Sequence, residues 1–201
     1  MLRVGLTGGI ASGKSTVASM LRDHDCTVLE MDPLGHELLE PGQSAYDEIV
    51  SEFGNSILGP GRVIDRSKLG AIVFADAAKR ARLNEILHPR ILEIVQKWFA
   101  ALDRPGGPEF AVVEAALIIE TGFHKQLDNL IVCWSRPEQQ IERLVERGLT
   151  KQQAELRLSA QMPAGEKRDL ADEVVDCSGT IEETERQVKN VVDRLKEISA
   201  K

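Results

Sequence analysis

The stretch Gly8-Gly9-Ile10-Ala11-Ser12-Gly13-Lys14-Ser15-Thr16 constrains this chain more than any other feature. Gly8, Gly13, Lys14 and Ser15 fit the pattern G-x-x-x-x-G-K-[ST]. Each residue type has a physical reason to be there. Gly8 and Gly13 permit backbone torsions and close approaches that a side chain would block. The loop can then turn its N–H groups inward around phosphates, while the helix that follows points the positive end of its dipole at them. Lys14 brings a mobile cation to the outer phosphates, and the Ser15 hydroxyl is placed for magnesium. An apolar run from Leu2 to Leu6 precedes the loop, and a helical pattern from Lys14 to Asp23 follows it, the context the motif requires. All nine residues from Gly8 to Thr16 are therefore expected to contact a nucleoside triphosphate. No NKxD-type guanine motif is present, which favours ATP over GTP.

Further apolar stretches alternate with amphipathic ones. Thr27 to Met31, Phe110 to Val113, Leu130 to Trp134 and Glu173 to Val175 read as four more strands. Continuous apolar runs separated by helices indicate a mostly parallel sheet covered on both faces. From Ile181 apolar residues recur at Val188, Val191, Val192, Leu195 and Ile198, the spacing of a helix packed on that sheet. The run from Asp32 to about Pro108 is too long for a plain crossover and mostly helical in pattern, so it is expected to form a lobe. A second helical excursion spans about 138–169, and Asp103 to Glu109, DRPGGPE, reads as a turn.

Bulk properties exclude several classes of function. The 201 residues are 42% hydrophobic and carry a formal net charge of −7, which argues against nucleic acid or an anionic membrane as partner. No apolar run approaches the ~20 residues of a membrane span. The N-terminal MLRVGLTGG lacks the pattern of a signal peptide. Cys26, Cys133 and Cys177 are scattered, with no CxxC pair, which suits a reducing compartment and predicts a cytoplasmic protein. The oligomeric state is left open.

A phosphate loop alone does not separate a kinase from a motor, switch or sensor. The rest of the chain is more specific. GLTGGIASGKSTVA at 5–18, Asp32 after the second strand, EPG at 40–42, FG at 53–54 and DRSKL at 65–69 resemble dephospho-CoA kinase. So do VF at 73–74, LHP at 87–89, EAALIIETG at 114–122, PEQQIERLVERG at 137–148, AQM at 160–162 and LADEVVD at 170–176. The matches run in order over almost the whole chain. The resemblance implies an α/β fold: a three-layer P-loop kinase core with a five-stranded parallel sheet, a helical acceptor-binding lobe and a helical lid. The chain would be one kinase domain, with the core at about 1–34, 105–140 and 170–201, the lobe at about 35–104 and the lid at about 141–169.

The implied reaction moves the ATP γ-phosphoryl group to the ribose 3′-hydroxyl of dephospho-CoA, the last step of coenzyme A synthesis, with ATP and Mg²⁺ required. By position, Asp32 would take or orient the hydroxyl proton, and Lys14 and Arg143 would stabilise charge on the transferred group. Arg147 would contact ATP, while Arg66 and His88 would join Asp32 in binding the acceptor. Gln161 and Lys167 would reach the nucleotide as the lid closes, and Trp134 would approach the adenine or serve as core. Asp32 also suits a helix-capping role before Pro33, and His88 before Pro89 suits a loop where a helix breaks. Glu114, at the end of the third strand, is a candidate to assist magnesium through water.

Several positions depart from the family pattern. Glu30-Met31-Asp32 stands for Asp-Ala-Asp, and His36 for an arginine. Ala11 replaces a common glycine at a variable position of the loop and should be tolerated, Ala116-Leu117-Ile118 replaces Pro-Leu-Leu, and Cys177 replaces asparagine. Two alternatives remain open: another P-loop kinase, for a nucleoside monophosphate or small polyol, or a nucleotide-binding sensor without turnover.

Overall fold

A computed structural model describes residues 1–200. In chain order its main elements are β1 (Leu2–Gly8), α1 (Lys14–Asp23), β2 (Thr27–Glu30), α2 (Met31–Glu37), α3 (Tyr46–Phe53), α4 (Arg66–Ala75) and α5 (Ala77–Leu102). Then come β3 (Phe110–Glu114), β4 (Asn129–Trp134), α6 (Pro137–Glu146), α7 (Lys151–Ser159), α8 (Ala164–Asp169), β5 (Glu173–Asp176) and α9 (Ile181–Ser199). The five strands form one sheet in the order β2-β3-β1-β4-β5. β1 runs parallel to both β3 and β4, and β4 runs parallel to β5.

The apolar runs are strands because both of their faces are covered. All of β3 is buried, as are Val4 and Leu6 on β1 and Ile131 and Cys133 on β4. Val17, Ala18 and Leu21 of α1 and Val188, Val191, Val192 and Leu195 of α9 pack on this layer. Each such valine, leucine or isoleucine side chain fully removed from water contributes about 1.5–3 kcal/mol. α9 begins with a capping box in which the Thr180 side chain accepts from Glu183 N–H and the Glu183 carboxylate accepts from Thr180 N–H. Among the described residues no helix is long and apolar enough to cross a membrane.

The chain divides into two compact units, one of residues 1–29 and 102–201 and one of residues 30–101. The second has its own apolar core, built from Leu38, Leu39, Tyr46, Ile49, Phe53, Ile57, Ile64, Leu69 and Ile86. Arginines on α5 tie it to α3: Arg90 reaches Glu48 and the Ser44 carbonyl, and Arg82 reaches Glu48 and Glu52.

Two local expectations change. β2 ends at Glu30, one residue earlier than the apolar pattern suggests, and α2 starts at Met31. Pro33 is therefore the third helical residue, where its missing N–H costs no intrahelical bond. The break expected at His88-Pro89 does not occur, because α5 continues through Pro89. Proline at 89 removes a bond to the Glu85 carbonyl. On the same turn the Arg90 guanidinium donates to the Ile86 carbonyl at 2.6 Å, supplying a donor where the ladder is weakened. Burial of Ile86, Val95 and Phe99 on both sides of the proline holds the two halves in one helix.

Candidate functional site

The phosphate loop links the C-terminal end of β1 to the first turn of α1. Gly13 has φ 104°, and a Cβ there would lie 2.8 Å from Cys177 Cβ and 2.9 Å from its Sγ. Only glycine fits both the torsion and the space. A Cβ on Gly8 would come within 2.6 Å of the Cys133 carbonyl oxygen. Ala11 takes φ 58°, a left-handed conformation that costs an L-residue about 1–2 kcal/mol. Glycine would take this torsion without that cost, and this chain folds at a penalty without it.

The loop is held from outside. Arg143, on α6, donates from Nη1 to the Ala11 carbonyl at 3.1 Å and from Nη2 to the Cys177 carbonyl at 2.7 Å. Two of its five N–H donors are thus spent on backbone. Ile10 N–H donates to Gln161 Oε1 at 2.8 Å, so the residue between α7 and α8 touches the loop itself. Gln140 is fully buried beside Gly9 and donates to the Ser135 carbonyl. Arg147 is exposed at the C-terminal end of α6.

Lys14 forms an ion pair with Glu114, whose side chain is only 7% exposed at the end of β3. The acid expected to assist magnesium is therefore the direct counter-ion of the loop lysine. Ser15 and Thr16 are exposed in the first turn of α1. Lys167 is placed differently from its expected approach to the nucleotide. It is completely buried, with Nζ 2.7 Å from Glu120 and 2.8 Å from the Ala116 carbonyl. A buried ammonium is stable only when paired in this way, and its role here is to fix α8 to the segment after β3. Trp134 is partly exposed, with the Arg168 guanidinium 5.6 Å from its ring centre.

The thiols beneath the loop have shifted proton affinities. Burial pushes Cys133 well up, and the hydrogen bond from Cys133 is the main cause that lowers Cys177. Burial also raises Cys26, to about 11. All three cysteines are free.

The remaining expected residues lie in the second unit. Asp32 is exposed in the first turn of α2, and no side-chain hydrogen bond caps that helix. Arg66 opens α4 immediately after its N-cap Asp65, and its Nη2 lies 3.0 Å from His36 Nε2. His88 is half-buried on α5, and loss of solvent lowers its proton affinity.

Comparison with known proteins identifies the family. The family model for dephospho-CoA kinase matches residues 2–183. The chain belongs to the dephospho-CoA kinase family. A dephospho-CoA kinase of Geobacter sulfurreducens is 44% identical over 189 residues, covering 94% of this chain and 95% of that one. The solved structure of dephospho-CoA kinase from Campylobacter jejuni superposes with a TM-score of 0.73 over 97% of both chains, at 24% identity. A shikimate kinase from Acinetobacter baumannii shares the fold at a TM-score of 0.55 and 13% identity, covering 100% of this chain and 96% of that one. The α/β P-loop kinase architecture and the family inferred from the motifs are both correct.

The pairings between distant residues were not visible in the sequence. Lys14 and Glu114, Arg143 and Ala11, and Arg66 and His36 are joined only by the fold. Gln161 was singled out, but its partner, a loop N–H, was not.

Proposed function

We propose that this chain transfers the γ-phosphoryl group of ATP to the ribose 3′-hydroxyl of dephospho-CoA, giving coenzyme A and ADP. The observation that carries this reading is the family match over residues 2–183, which includes the phosphate loop and every acceptor-side candidate. The inward-turned loop and Lys14 receive the β- and γ-phosphates, and binding draws Lys14 from Glu114 toward the greater negative charge. Arg143 keeps two donors on the carbonyls of Ala11 and Cys177 and uses the others on the transferring group. Arg147 and the backbone from Gly8 to Thr16 complete the ATP contacts.

Among the described residues no three His, Cys, Asp or Glu side chains cluster as a metal cage. Mg²⁺ keeps water and substrate phosphates as ligands and takes few from protein. The exposed Ser15 hydroxyl would hold it, and Glu114 would meet one of its waters. Once bound, the ion would supply charge neutralisation for the phosphates.

Asp32 orients the 3′-hydroxyl for in-line attack and takes its proton as the new P–O bond forms and ADP leaves. The transition state is loose, so positioning counts more than strong basicity. Arg66 and His88 bind the acceptor. The cytoplasm is the proposed compartment, in keeping with three free cysteines. Asp32→Asn tests the assignment: ATP binding, measured by calorimetry, should persist while transfer falls at least a hundredfold, about 3 kcal/mol in the barrier. Transfer at the wild-type rate would remove Asp32 from the mechanism.

A further inference from the structure

Two groups of the phosphate loop are already paired with acceptors from elsewhere in the chain. Ile10 N–H donates to Gln161 Oε1 at 2.8 Å, and the Lys14 ammonium pairs with Glu114. A backbone N–H only donates, so the atom of Gln161 that faces it is the amide oxygen. Both acceptors are oxygens, and both hold groups that a phosphate cradle aims at phosphate oxygens. Elsewhere in the loop Ser12 N–H closes back on the Gly9 carbonyl at 3.2 Å, and the Ala11 carbonyl accepts from Arg143. Arg143 thus reaches the acceptor side of the loop from α6, and Gln161 reaches its donor side from the turn between α7 and α8.

The turn that carries Gln161 is fixed on its other side. Gln161 N–H donates to the Leu158 carbonyl at the end of α7, and Met162 N–H donates to Glu120 Oε1 at 3.3 Å. The same Glu120 carboxylate pairs with the buried Lys167 at 2.7 Å. Lys167 also donates to the Ala116 carbonyl, which accepts from the Thr7 hydroxyl on β1 as well. Glu120 and Lys167 therefore tie the turn to the segment after β3. Gln161 is presented to Ile10 from a fixed base, and little ordering is left for the contact itself to impose.

We infer that Gln161 is an internal competitor for the phosphate loop, a latch that ATP must displace; this rests on the loop being the ATP site. One N–H proton makes one strong hydrogen bond, so Gln161 Oε1 and a phosphate oxygen exclude each other at Ile10. A phosphate oxygen is charged, and its hydrogen bond is roughly twice as strong as one to a neutral amide. ATP therefore wins the N–H, but its affinity is reduced by the contact it breaks. The net worth of one such hydrogen bond corresponds to about two- to tenfold in binding. A Gln161 that reached over to hold the nucleotide would add affinity, the opposite sign. Glu114 competes in parallel for Lys14, but its carboxylate would also meet a water of the magnesium ion. Gln161 is the acceptor whose removal isolates the competition.

The test measures binding of ATP and of inorganic tripolyphosphate, each with Mg²⁺, by calorimetry on the full chain. Wild type, Gln161→Met and Gln161→Glu are compared. Methionine keeps the length of the side chain but brings no amide oxygen to Ile10. Gln161→Met should bind both ligands about two- to tenfold more tightly than wild type. The gain should be equal for the two, because the competition is for the loop and not for adenosine. Gln161→Glu offers Ile10 a charged oxygen and repels phosphate, so it should bind both at least about tenfold more weakly. With isoleucine labelled by ¹⁵N, the Ile10 amide resonance should differ between free wild type and free Gln161→Met, and coincide once tripolyphosphate saturates both. Weaker or unchanged ATP binding by Gln161→Met, or Ile10 resonances that stay apart at saturation, overturns the latch and leaves the kinase reading intact. Absence of ATP binding by wild type and Gln161→Met alike overturns both.

Discussion

Replacing Lys14 with methionine should unfold the protein more easily as well as stop catalysis, and the two effects are separable. Lys14 and Glu114 form an ion pair whose side chains are 16% and 7% exposed. Methionine keeps the apolar stem of the lysine but leaves the Glu114 carboxylate buried without a counter-charge. Removing one partner of a buried pair costs about 3–5 kcal/mol. The remaining exposure of this pair places the cost near the lower end, about 3 kcal/mol. For a chain of this size that lowers the melting temperature by about 6–12 °C. Adding Glu114→Gln removes the stranded charge and should recover most of the loss. The assay is thermal unfolding near neutral pH without nucleotide, on wild type, both single variants and the double variant. Phosphoryl transfer should be absent from Lys14→Met and from the double variant alike. The reasoning is refuted if Lys14→Met melts within about 2 °C of wild type, or if the double variant is no more stable than Lys14→Met alone.

Two further predictions concern local features. Ala11→Gly relieves the left-handed strain at φ 58° and should raise stability by about 0.5–1 kcal/mol after the added entropy of the unfolded glycine, read as a higher melting temperature; a decrease would contradict that backbone. His88 has a lowered proton affinity through burial, so below its unfolded value of about 6.5 the unfolded chain binds the proton more readily. Its contribution therefore destabilises the fold progressively as pH falls below about 6.5 and vanishes above it. His88→Gln should lose less of its urea midpoint than wild type between about pH 7.5 and about pH 5.5, and an equal loss would remove the buried histidine from the acid limb.

Much of the architecture was legible because it rests on local pattern. The strand–loop–helix from Leu2 to Asp23 is written in apolar residues and glycines whose roles are stereochemical, and the helix begins at Lys14 as the motif requires. The apolar stripe of α9 is equally direct. Pro89 misled because proline signals a broken helix only where nothing else holds the two halves, and here Arg90 and the buried apolar face do so. The site was legible in its parts but not in its pairings. Lys167 reads as a cation that reaches the nucleotide as the lid closes until Glu120, 47 positions earlier in the chain, is seen beside it. Ala11 reads as a tolerated change until its torsion is known. Arg143 reads as a phosphate ligand, whereas two of its donors hold the loop backbone. Such contacts depend on which strand lies beside which, and a single sequence records no distances.

The central claim is the reaction itself. The purified protein, incubated with ATP, Mg²⁺ and dephospho-CoA, should yield coenzyme A by mass spectrometry, with a nucleoside monophosphate as the parallel acceptor giving no product. Formation of coenzyme A that disappears in Lys14→Met and collapses in Asp32→Asn is the predicted result. Tight ATP binding with no product from dephospho-CoA, or preferential phosphorylation of the nucleoside monophosphate, would contradict the account.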